Sequence, residues 1–433
     1  MLPSSDSPAD VDLELYTACD NLPDDSWFRS FTPGVRLDFT AIASGPIRLR
    51  LNNHDTLEAG NHVRYTLSVR PLVTDTSSRV LIIAAGRLSG GDPLQKNIHN
   101  VTEQVYRLFQ QNGYDDSTIL YLATDSRLPG YDAALTRDSL RNGIINWAAA
   151  RLSNNGVFNL YMIDHGQPDI LYLDEVSGQR LAPDDLNGWL SQLEASRPGL
   201  RINVFIEACE SGSFIEGTRS ISKPGRVIVT STTATTDAKA SRNGAYFSDH
   251  FLTNLQQGFN ILTSFVEARA VARRVFALQD AWLDSNGNRL PNELDDGVTA
   301  AQRSFAFANT LAGEEWPPHI FSVTTPTTIS QSRGVFRADV RDDAKVRSVW
   351  GVVYGPDYLP PPTGEQLQPE ILPTFLFNPA NNNDIYEGVF TGFTRTGTYR
   401  IIIHAEDNQG LMARPVEILV STGIRVYLPL VLQ

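Results

Sequence analysis

Cysteine is nearly absent from this sequence: Cys19 and Cys209 are the two cysteines among 433 residues. Two thiols cannot form a disulfide framework or a cysteine-rich metal site, so cysteine usage indicates no cellular compartment. Histidine is also scarce, and six histidines lack the spacing of metal ligands: His54, His62, His99, His250, His319 and His404. Thiol chemistry must therefore come from one isolated cysteine, and we expect Cys19 to be inert.

Basic clusters and long apolar runs are missing as well. The formal net charge is -13 and the sequence has no run of basic residues, which argues against a surface for nucleic acid or an anionic membrane. No segment reaches the 18 or more apolar residues that a membrane-spanning helix needs. Residues 1–20 show neither the basic nor the apolar region of a signal peptide. With 41% hydrophobic and 20% charged residues, the composition is typical of a globular protein.

Changes in residue pattern divide the chain into four segments. Residues 1–78 alternate apolar and polar residues, as in "HVRYTLSVRPLV", which predicts a β-rich segment or a partial β domain. Residues 79–312 have an α/β pattern. Residues 313–424 return to short alternating runs that predict a β-sandwich, and residues 425–433 form an apolar tail. We therefore predict a central α/β domain between β domains.

Within residues 79–312, buried-strand patterns alternate with helix patterns. Three apolar runs, "RVLIIAAG", "GVFNLYMIDHG" and "RINVFIEAC", are typical of strands in a parallel sheet. Amphipathic stretches lie between them. This alternation predicts an α/β fold, a mostly parallel sheet with helices on both faces. Ligands of such sheets bind beyond the carboxyl ends of the strands.

Two of these strand ends carry side chains that can do chemistry. His165 follows one strand, and Cys209 follows the next predicted strand. Adjacent parallel strands lie about 4.8 Å apart, so His165 can act as the base that activates the Cys209 thiol. Backbone N–H groups at Gly166 and Cys209 are candidates for binding an oxyanion. The alternative is a buried, unreactive cysteine, which is the usual role of a lone cysteine after a strand.

The residues around these turns resemble a known family. "YMIDHG", followed about forty residues later by "VFIEACESGS", is similar to the motifs of the legumain family of cysteine peptidases, which share a fold group with caspases and gingipains. The resemblance covers roughly residues 79–280. It implies a caspase-like fold, a catalytic dyad of His165 and Cys209, and Gly166 in the oxyanion hole. The C-terminal segment resembles the immunoglobulin-like domain of gingipain-type bacterial peptidases, and we expect an extracellular or cell-envelope location.

The same resemblance suggests residues for substrate specificity. Asp249, in "FSDHF", lies where the family has an acidic pocket residue, and Glu207 precedes Cys209 by two positions. Legumains also carry an arginine and an asparagine before the first helix, but the corresponding "LQKNIHN" contains no arginine. Two acids without that arginine favour a basic P1 residue, unless Lys96 pairs with one of them. Glu207 can instead stabilise a turn, and Asp249 can be a solvated helix residue.

An unrelated pattern in the α/β segment resembles a calcium loop. Five oxygen-bearing residues of "DSNGNRLPNELD" occupy positions 1, 3, 5, 9 and 12 of such a loop: Asp284, Asn286, Asn288, Asn292 and Asp295. Arg289 replaces the usual glycine at position 6, and position 12 is Asp rather than Glu. The pattern predicts a calcium site, with a polar surface loop as the alternative.

From these patterns we predict a cysteine endopeptidase that acts on peptides or proteins through a Cys209 thioester and requires no cofactor, with calcium as a possible addition. A transpeptidase or peptide ligase would use the same thioester. A non-catalytic adhesive or binding protein with a relic site is the other alternative. The sequence leaves the oligomeric state open.

Overall fold

The computed structural model of the chain describes residues 11–17, 47–53, 77–256, 259–304, 318–325, 329, 332–342, 345–358, 372–380 and 384–422. Cys19 and the predicted apolar tail at 425–433 lie outside these residues. In the N-terminal segment, β1 (Val11–Thr17) pairs antiparallel with β2 (Ile47–Asn53). The quoted pattern at residues 62–73 lies outside the described residues.

A seven-stranded sheet forms the centre of the α/β domain. Its strand order is β12-β11-β10-β6-β3-β4-β5, and every neighbouring pair is parallel except β11 with β12. The predicted mostly parallel sheet is therefore present, with an antiparallel strand at one edge. The strands are β3 (Arg79–Ala85), β4 (Ile119–Ala123), β5 (Tyr131–Ala134), β6 (Val157–Ile163), β10 (Arg201–Glu207), β11 (Arg226–Thr230) and β12 (Trp282–Asp284).

Helices cover both faces of this sheet. The helices are α1 (Leu94–Gln111), α2 (Arg137–Asn142), α3 (Ala149–Arg151), α4 (Pro183–Ser196), α5 (Tyr246–Gln256), α6 (Ile261–Val275) and α7 (Asp296–Ala301). A π-helical stretch, Gly143–Ala148, joins α2 to α3. Alternate residues of β3 enter opposite cores: Leu81 and Ile83 pack in the core with α1 and α5, whereas Val80 and Ile82 pack in the core with α4.

Three local details differ from what the pattern predicts. The capping-box pattern Ser264…Glu267 predicts a helix that begins at Ser264, but α6 begins at Ile261, because the Asn260 side chain caps it by accepting the Thr263 N–H at 2.8 Å. The edge strand β12 was not expected. A small antiparallel sheet also follows the His-Gly turn, made of β7 (Gly166–Gln167), β8 (Ile170–Asp174) and β9 (Gln179–Leu181).

The C-terminal region is built from antiparallel strands. Seven strands are hydrogen-bonded in the order β13-β14-β17-β16-β15-β18-β19, around a core that contains Phe336, Ile401 and Ile403. They are β13 (His319–Thr324), β14 (Gly334–Arg341), β15 (Val346–Tyr354), β16 (Thr374–Pro379), β17 (Ile385–Phe390), β18 (Gly397–Asp407) and β19 (Val416–Thr422). This region is here termed the C-terminal β domain.

The C-terminal β domain packs directly on the α/β domain. Tyr246 of α5 and Val275 of α6 share a buried apolar cluster with Tyr354 and Ile402. The Met412 N–H donates to Thr253 Oγ1 of α5 at 3.1 Å. The two domains therefore meet along α5 and α6. Within the described part of the chain, no helix has the length and apolar character to cross a membrane.

Candidate active site

The two predicted functional turns meet at the carboxyl edge of the central sheet. In the parallel pairing of β6 and β10, Ile163 lies opposite Glu207. His165 and Cys209 each follow two residues later, so the same register brings them to one place. A Cβ atom on Gly166 would lie 2.1 Å from the Cys209 carbonyl oxygen. Only glycine therefore fits at 166, because the two turns are in direct backbone contact.

The Cys209 thiol is half-buried beneath a loop that follows β11. Its Sγ lies 3.8 Å from the Ala238 carbonyl oxygen, to which it donates. Burial raises the pKa of the thiol to about 12, and the negative charges of Asp237, Glu207 and Glu210 add to that rise. The thiol is thus protonated at neutral pH in this state, and a reaction at Cys209 needs a base.

His165 lies close to a carboxylate that the sequence patterns did not single out. Its Nε2 is 3.8 Å from Asp92 Oδ2. The other oxygen of Asp92 accepts the Leu94 N–H at 2.8 Å at the start of α1, which fixes the side chain. The Tyr172 N–H donates to the His165 carbonyl at 3.0 Å. Among the described residues, no hydrogen bond joins His165 to Cys209; such bonds are commonly long before substrate binds.

Glu207 is buried, not open to solvent. Its Oε2 accepts the Ser248 N–H at 3.1 Å and the Ser248 hydroxyl at 2.5 Å. The same hydroxyl lies 2.6 Å from the hydroxyl of Tyr161. Burial raises the pKa of Glu207 to about 7. The side chain of Glu207 therefore packs against Ser248 of α5 and is only partly charged at neutral pH.

Asp249 is also buried, on the first turn of α5. Its Oδ1 accepts the Ala245 N–H at 3.3 Å, and burial raises its pKa to about 8. The side chain lines an open cavity between the two domains. Lys96 is exposed on α1, and no ion pair found among the described residues includes it. The pairing of Lys96 with a pocket acid thus finds no support in the geometry.

Asp237 is a carboxylate beside Cys209 that sequence reasoning missed. It is half-exposed and lies between two residues that contact the turn at Cys209 and Glu210: the Glu210 N–H donates to Thr236 O at 2.8 Å, and Cys209 Sγ donates to Ala238 O. Its charge raises the pKa of both Cys209 and Glu210. The spacing between Cys209 and Asp237 in the sequence gives no signal for this contact, because the loop after β11 folds back over the Cys209 turn.

Comparison with known families gives one match. Residues 149–263 match the model of the Peptidase C13 family, and this segment contains His165, Cys209 and Asp249. The match supports a cysteine peptidase of the legumain type. It thereby supports the general activity predicted from the two motifs, with peptides or proteins as substrates. The comparison with curated proteins finds no match for the chain.

Several solved structures are similar to this chain at low identity. They include the PKD domain of an M14-like peptidase from Thermoplasmatales archaeon SCGC AB-540-F20 (18% identity, 25% of this chain, 96% of that chain, TM-score 0.16). Another is catalytically inactive OgpA from Akkermansia muciniphila in complex with an O-glycopeptide substrate (8% identity, 82% of this chain, 95% of that chain, TM-score 0.21). At such TM-scores neither similarity carries an argument about this chain.

In the predicted calcium loop, Asp and Asn side chains accept hydrogen bonds from the backbone of the loop itself. Asp284 is fully buried; its Oδ1 accepts the Gly287 N–H at 3.0 Å and its Oδ2 accepts the Arg289 N–H at 2.9 Å. Asn286 and Asn288 each accept the N–H two residues later. Within the described ranges no group of three or more His, Cys, Asp or Glu side chains is placed to hold a metal ion. Calcium binding, including the role of Asp295, stays a prediction.

Proposed function

We propose that the chain is a cysteine endopeptidase in which Cys209 is the nucleophile and His165 is the general acid–base. The observation that carries this proposal is the contact between the two turns: Gly166 lies against the Cys209 carbonyl at the carboxyl edge of adjacent parallel strands. Ligands of parallel sheets bind at that edge. Asp92 is proposed to orient the His165 imidazole, since its Oδ2 lies 3.8 Å from Nε2.

The proposed reaction has two steps. The Cys209 thiol gives its proton to His165, and Sγ attacks the peptide carbonyl carbon; the oxyanion is bound by the N–H groups of Gly166 and Cys209. His165 then passes the proton to the leaving amine, the C–N bond breaks, and a thioester remains. Water, deprotonated by His165, hydrolyses the thioester and restores the thiol. A general acid–base contributes roughly 10²–10⁴ to the rate, and one oxyanion donor about 10²–10³.

A basic P1 residue is the proposed specificity. Glu207 and Asp249 are the acids that the family resemblance points to, and Asp237 and Glu210 supply further carboxyl groups beside the thiol. A cation bound near a buried carboxyl favours its charged form. An arginine can bond two carboxylate oxygens at once, which favours Arg over Lys.

The C-terminal β domain is proposed to be immunoglobulin-like, because the Tyr399 hydroxyl bonds the backbone of Arg395 as in a tyrosine corner.

Two substitutions test the nucleophile and the base. Cys209→Ala and His165→Ala should each abolish peptide hydrolysis while leaving the melting temperature close to that of the wild type, with Cys19→Ala as the matched cysteine control that keeps full activity. A folded Cys209→Ala protein with near wild-type turnover would refute the assignment.

A peptide library varied at P1 should be cleaved fastest after Arg; a profile led by Asn or Asp would contradict the basic specificity. Product analysis with an added amine acceptor separates hydrolysis from ligation.

A further inference from the structure

Residues 236–245, here termed the nucleophile loop, connect the predicted nucleophile with the C-terminal β domain. At its N-terminal end the loop contacts the turn formed by Cys209 and Glu210. The Glu210 N–H donates to Thr236 O at 2.8 Å, and Cys209 Sγ donates to Ala238 O at 3.8 Å. A displacement of this end would therefore change both the cover over the thiol and the turn that presents it.

The second end of the loop folds back as a tight turn. Ala240 pairs antiparallel with Ala245. Inside that pair, the Ser241 N–H donates to Gly244 O at 3.0 Å, and the Gly244 N–H donates to the Ser241 hydroxyl at 2.9 Å. Because these bonds close the turn on itself, a displacement of its tip is transmitted to the segment around Ala238, which contacts Cys209.

The tip of this turn is held by the C-terminal β domain. Asn243 Nδ2 donates to Glu406 Oε2 of β18 at 2.6 Å. The Arg242 guanidinium lies over the ring of Trp350 of β15, 5.4 Å from its centroid. Both contacts cross from the α/β domain to the C-terminal β domain. The second domain thus contacts the loop that touches the nucleophile.

The Glu406 carboxylate, which accepts the Asn243 amide, is held in place by residues of the C-terminal β domain. The Glu406 side chain is 5% exposed. Arg347 Nη1 lies 3.3 Å from its Oε1, and the Ser348 hydroxyl lies 3.5 Å from its Oε2. A short bond from an amide to a buried, paired carboxylate is charge-assisted and directional. Asn243 is therefore held by an acceptor whose position is set by the β-strands and not by the loop.

We propose that Glu406 of the C-terminal β domain is a positioning residue for the peptidase reaction, acting through Asn243 and the nucleophile loop on Cys209. This inference rests on the proposed function for its effect on activity. The C-terminal β domain is then part of the catalytic unit rather than an attached binding module. It acts at a distance, because no described atom of Glu406 bonds Cys209 or His165.

The loop also has support from its own domain, so the effect of losing Glu406 should be graded. Asn100 Nδ2 of α1 donates to Asn243 O at 2.7 Å, and Asn97 Nδ2 donates to Gly244 O at 2.8 Å. These bonds hold the backbone of the tip, whereas Glu406 holds the Asn243 side chain. Removing Glu406 should loosen the loop without unfolding it.

The test compares Asn243→Ala and Glu406→Ala with Glu406→Gln in the full chain. Both Ala variants should lower kcat/KM by about tenfold, the factor that corresponds to 1.4 kcal/mol. The decrease should lie in kcat, because the nucleophile moves. Glu406→Gln keeps an oxygen acceptor and should recover most of the activity. Glu387→Ala, which removes an exposed partner of Arg337 in the same domain, is the matched control and should behave as wild type.

A second measurement does not depend on peptidase activity. In a Cys19→Ala background, iodoacetamide should alkylate Cys209 faster in Asn243→Ala and Glu406→Ala than in the parent or in Glu387→Ala, because the cover over the thiol loosens. If the parent cleaves no peptide but the alkylation pattern holds, the proposed function fails and the positioning role stands. If the parent is active and all variants match Glu387→Ala in both measurements, the positioning role is overturned.

Discussion

At the scale of single residues, the reactivity of Cys209 depends on the charges around it. Burial and three carboxyl groups raise the pKa of the thiol, and its Sγ donates to the Ala238 carbonyl oxygen. A thiolate is the reactive form of cysteine. The thiol is therefore protonated at neutral pH in this state, and the half-exposed Asp237 is the carboxylate with the largest effect on its pKa.

Removing the charge of Asp237 should make Cys209 more reactive. In a Cys19→Ala background, Asp237→Asn should shift the pH profile of iodoacetamide alkylation to lower pH and increase the rate at pH 8 severalfold, because a lost negative charge lowers the pKa of a neighbouring thiol. Asp115→Asn, at an exposed site on the loop before β4, is the matched control. Identical profiles for both variants and the parent would show that the Asp237 charge does not reach the thiol.

Asp92 should matter for the rate and not for substrate binding. Asp92→Asn keeps an oxygen that can accept the Leu94 N–H at the start of α1, yet it removes the charge that lies 3.8 Å from His165 Nε2. We expect at least a tenfold lower kcat with KM nearly unchanged, because a carboxylate stabilises the protonated imidazole formed during the reaction. Glu103→Ala, which removes an exposed ion pair on the same helix, should leave kcat unchanged. Equal kcat values for Asp92→Asn and Glu103→Ala would exclude this role.

At the scale of secondary structure elements, the loop after β12 shows how one pattern fits two structures. Oxygen side chains at alternate positions suit a calcium loop, but the same spacing allows Asp and Asn to accept backbone N–H groups two or three residues later. The latter bonds are present at Asp284, Asn286 and Asn288. Arg289 adopts a positive φ of 71° at the position where a calcium loop has glycine, so the backbone turn is kept without that residue.

Asp284 should stabilise this loop whether or not calcium is present. Asp284→Ala leaves the Gly287 N–H and the Ser222 hydroxyl without their acceptor, and leaves the Arg289 N–H with the Ser222 oxygen alone; losing buried hydrogen bonds costs about 1–3 kcal/mol. We expect a lower melting temperature in buffer containing a chelator. Glu216→Gln, at an exposed position, is the control. If the variant loses stability only when millimolar calcium is present, the loop is a calcium site and our account of its hydrogen bonds is wrong.

Strands and helices with long periodic patterns could be predicted from the sequence. Short elements, and contacts between segments that are distant in the sequence, could not. The apolar runs predicted β3, β6 and β10, because a strand buried on both faces must be apolar throughout. The edge strand β12 has only three residues, which is too short for a pattern. The predicted dyad residues lie at the expected strand ends. The burial of Glu207 and the approach of Asp92 and Asp237 depend on α5, α1 and a loop, whose packing no local pattern encodes.

At the scale of the whole molecule, buried ionisable groups connect stability with pH. Burial raises the pKa of Glu207 to about 7 and of Asp249 to about 8, so their contribution is complete below pH 4 and is lost as the pH rises through these values. Burial lowers the pKa of His250 to about 4 and of His404 to about 3. Their contribution is complete above about pH 6.5, the unperturbed value for histidine, and is lost as the pH falls toward those lower values.

These opposite shifts predict a molecule that loses stability on the alkaline side of neutrality. From pH 7 to 8 the histidines are largely neutral in both the folded and the unfolded state, whereas the folded state still holds much of the proton of Asp249 that the unfolded chain has released. The free energy of unfolding should then fall by up to about 1.4 kcal/mol per pH unit through Asp249. Melting temperatures measured from pH 7 to 8 should therefore decrease, and Asp249→Asn, which is neutral at every pH, should flatten the curve. Glu216→Gln should keep the slope of the wild type. A wild-type curve that is flat or rises over this range would mean that Asp249 is already ionised in the folded protein, paired with a cation in the cavity between the domains.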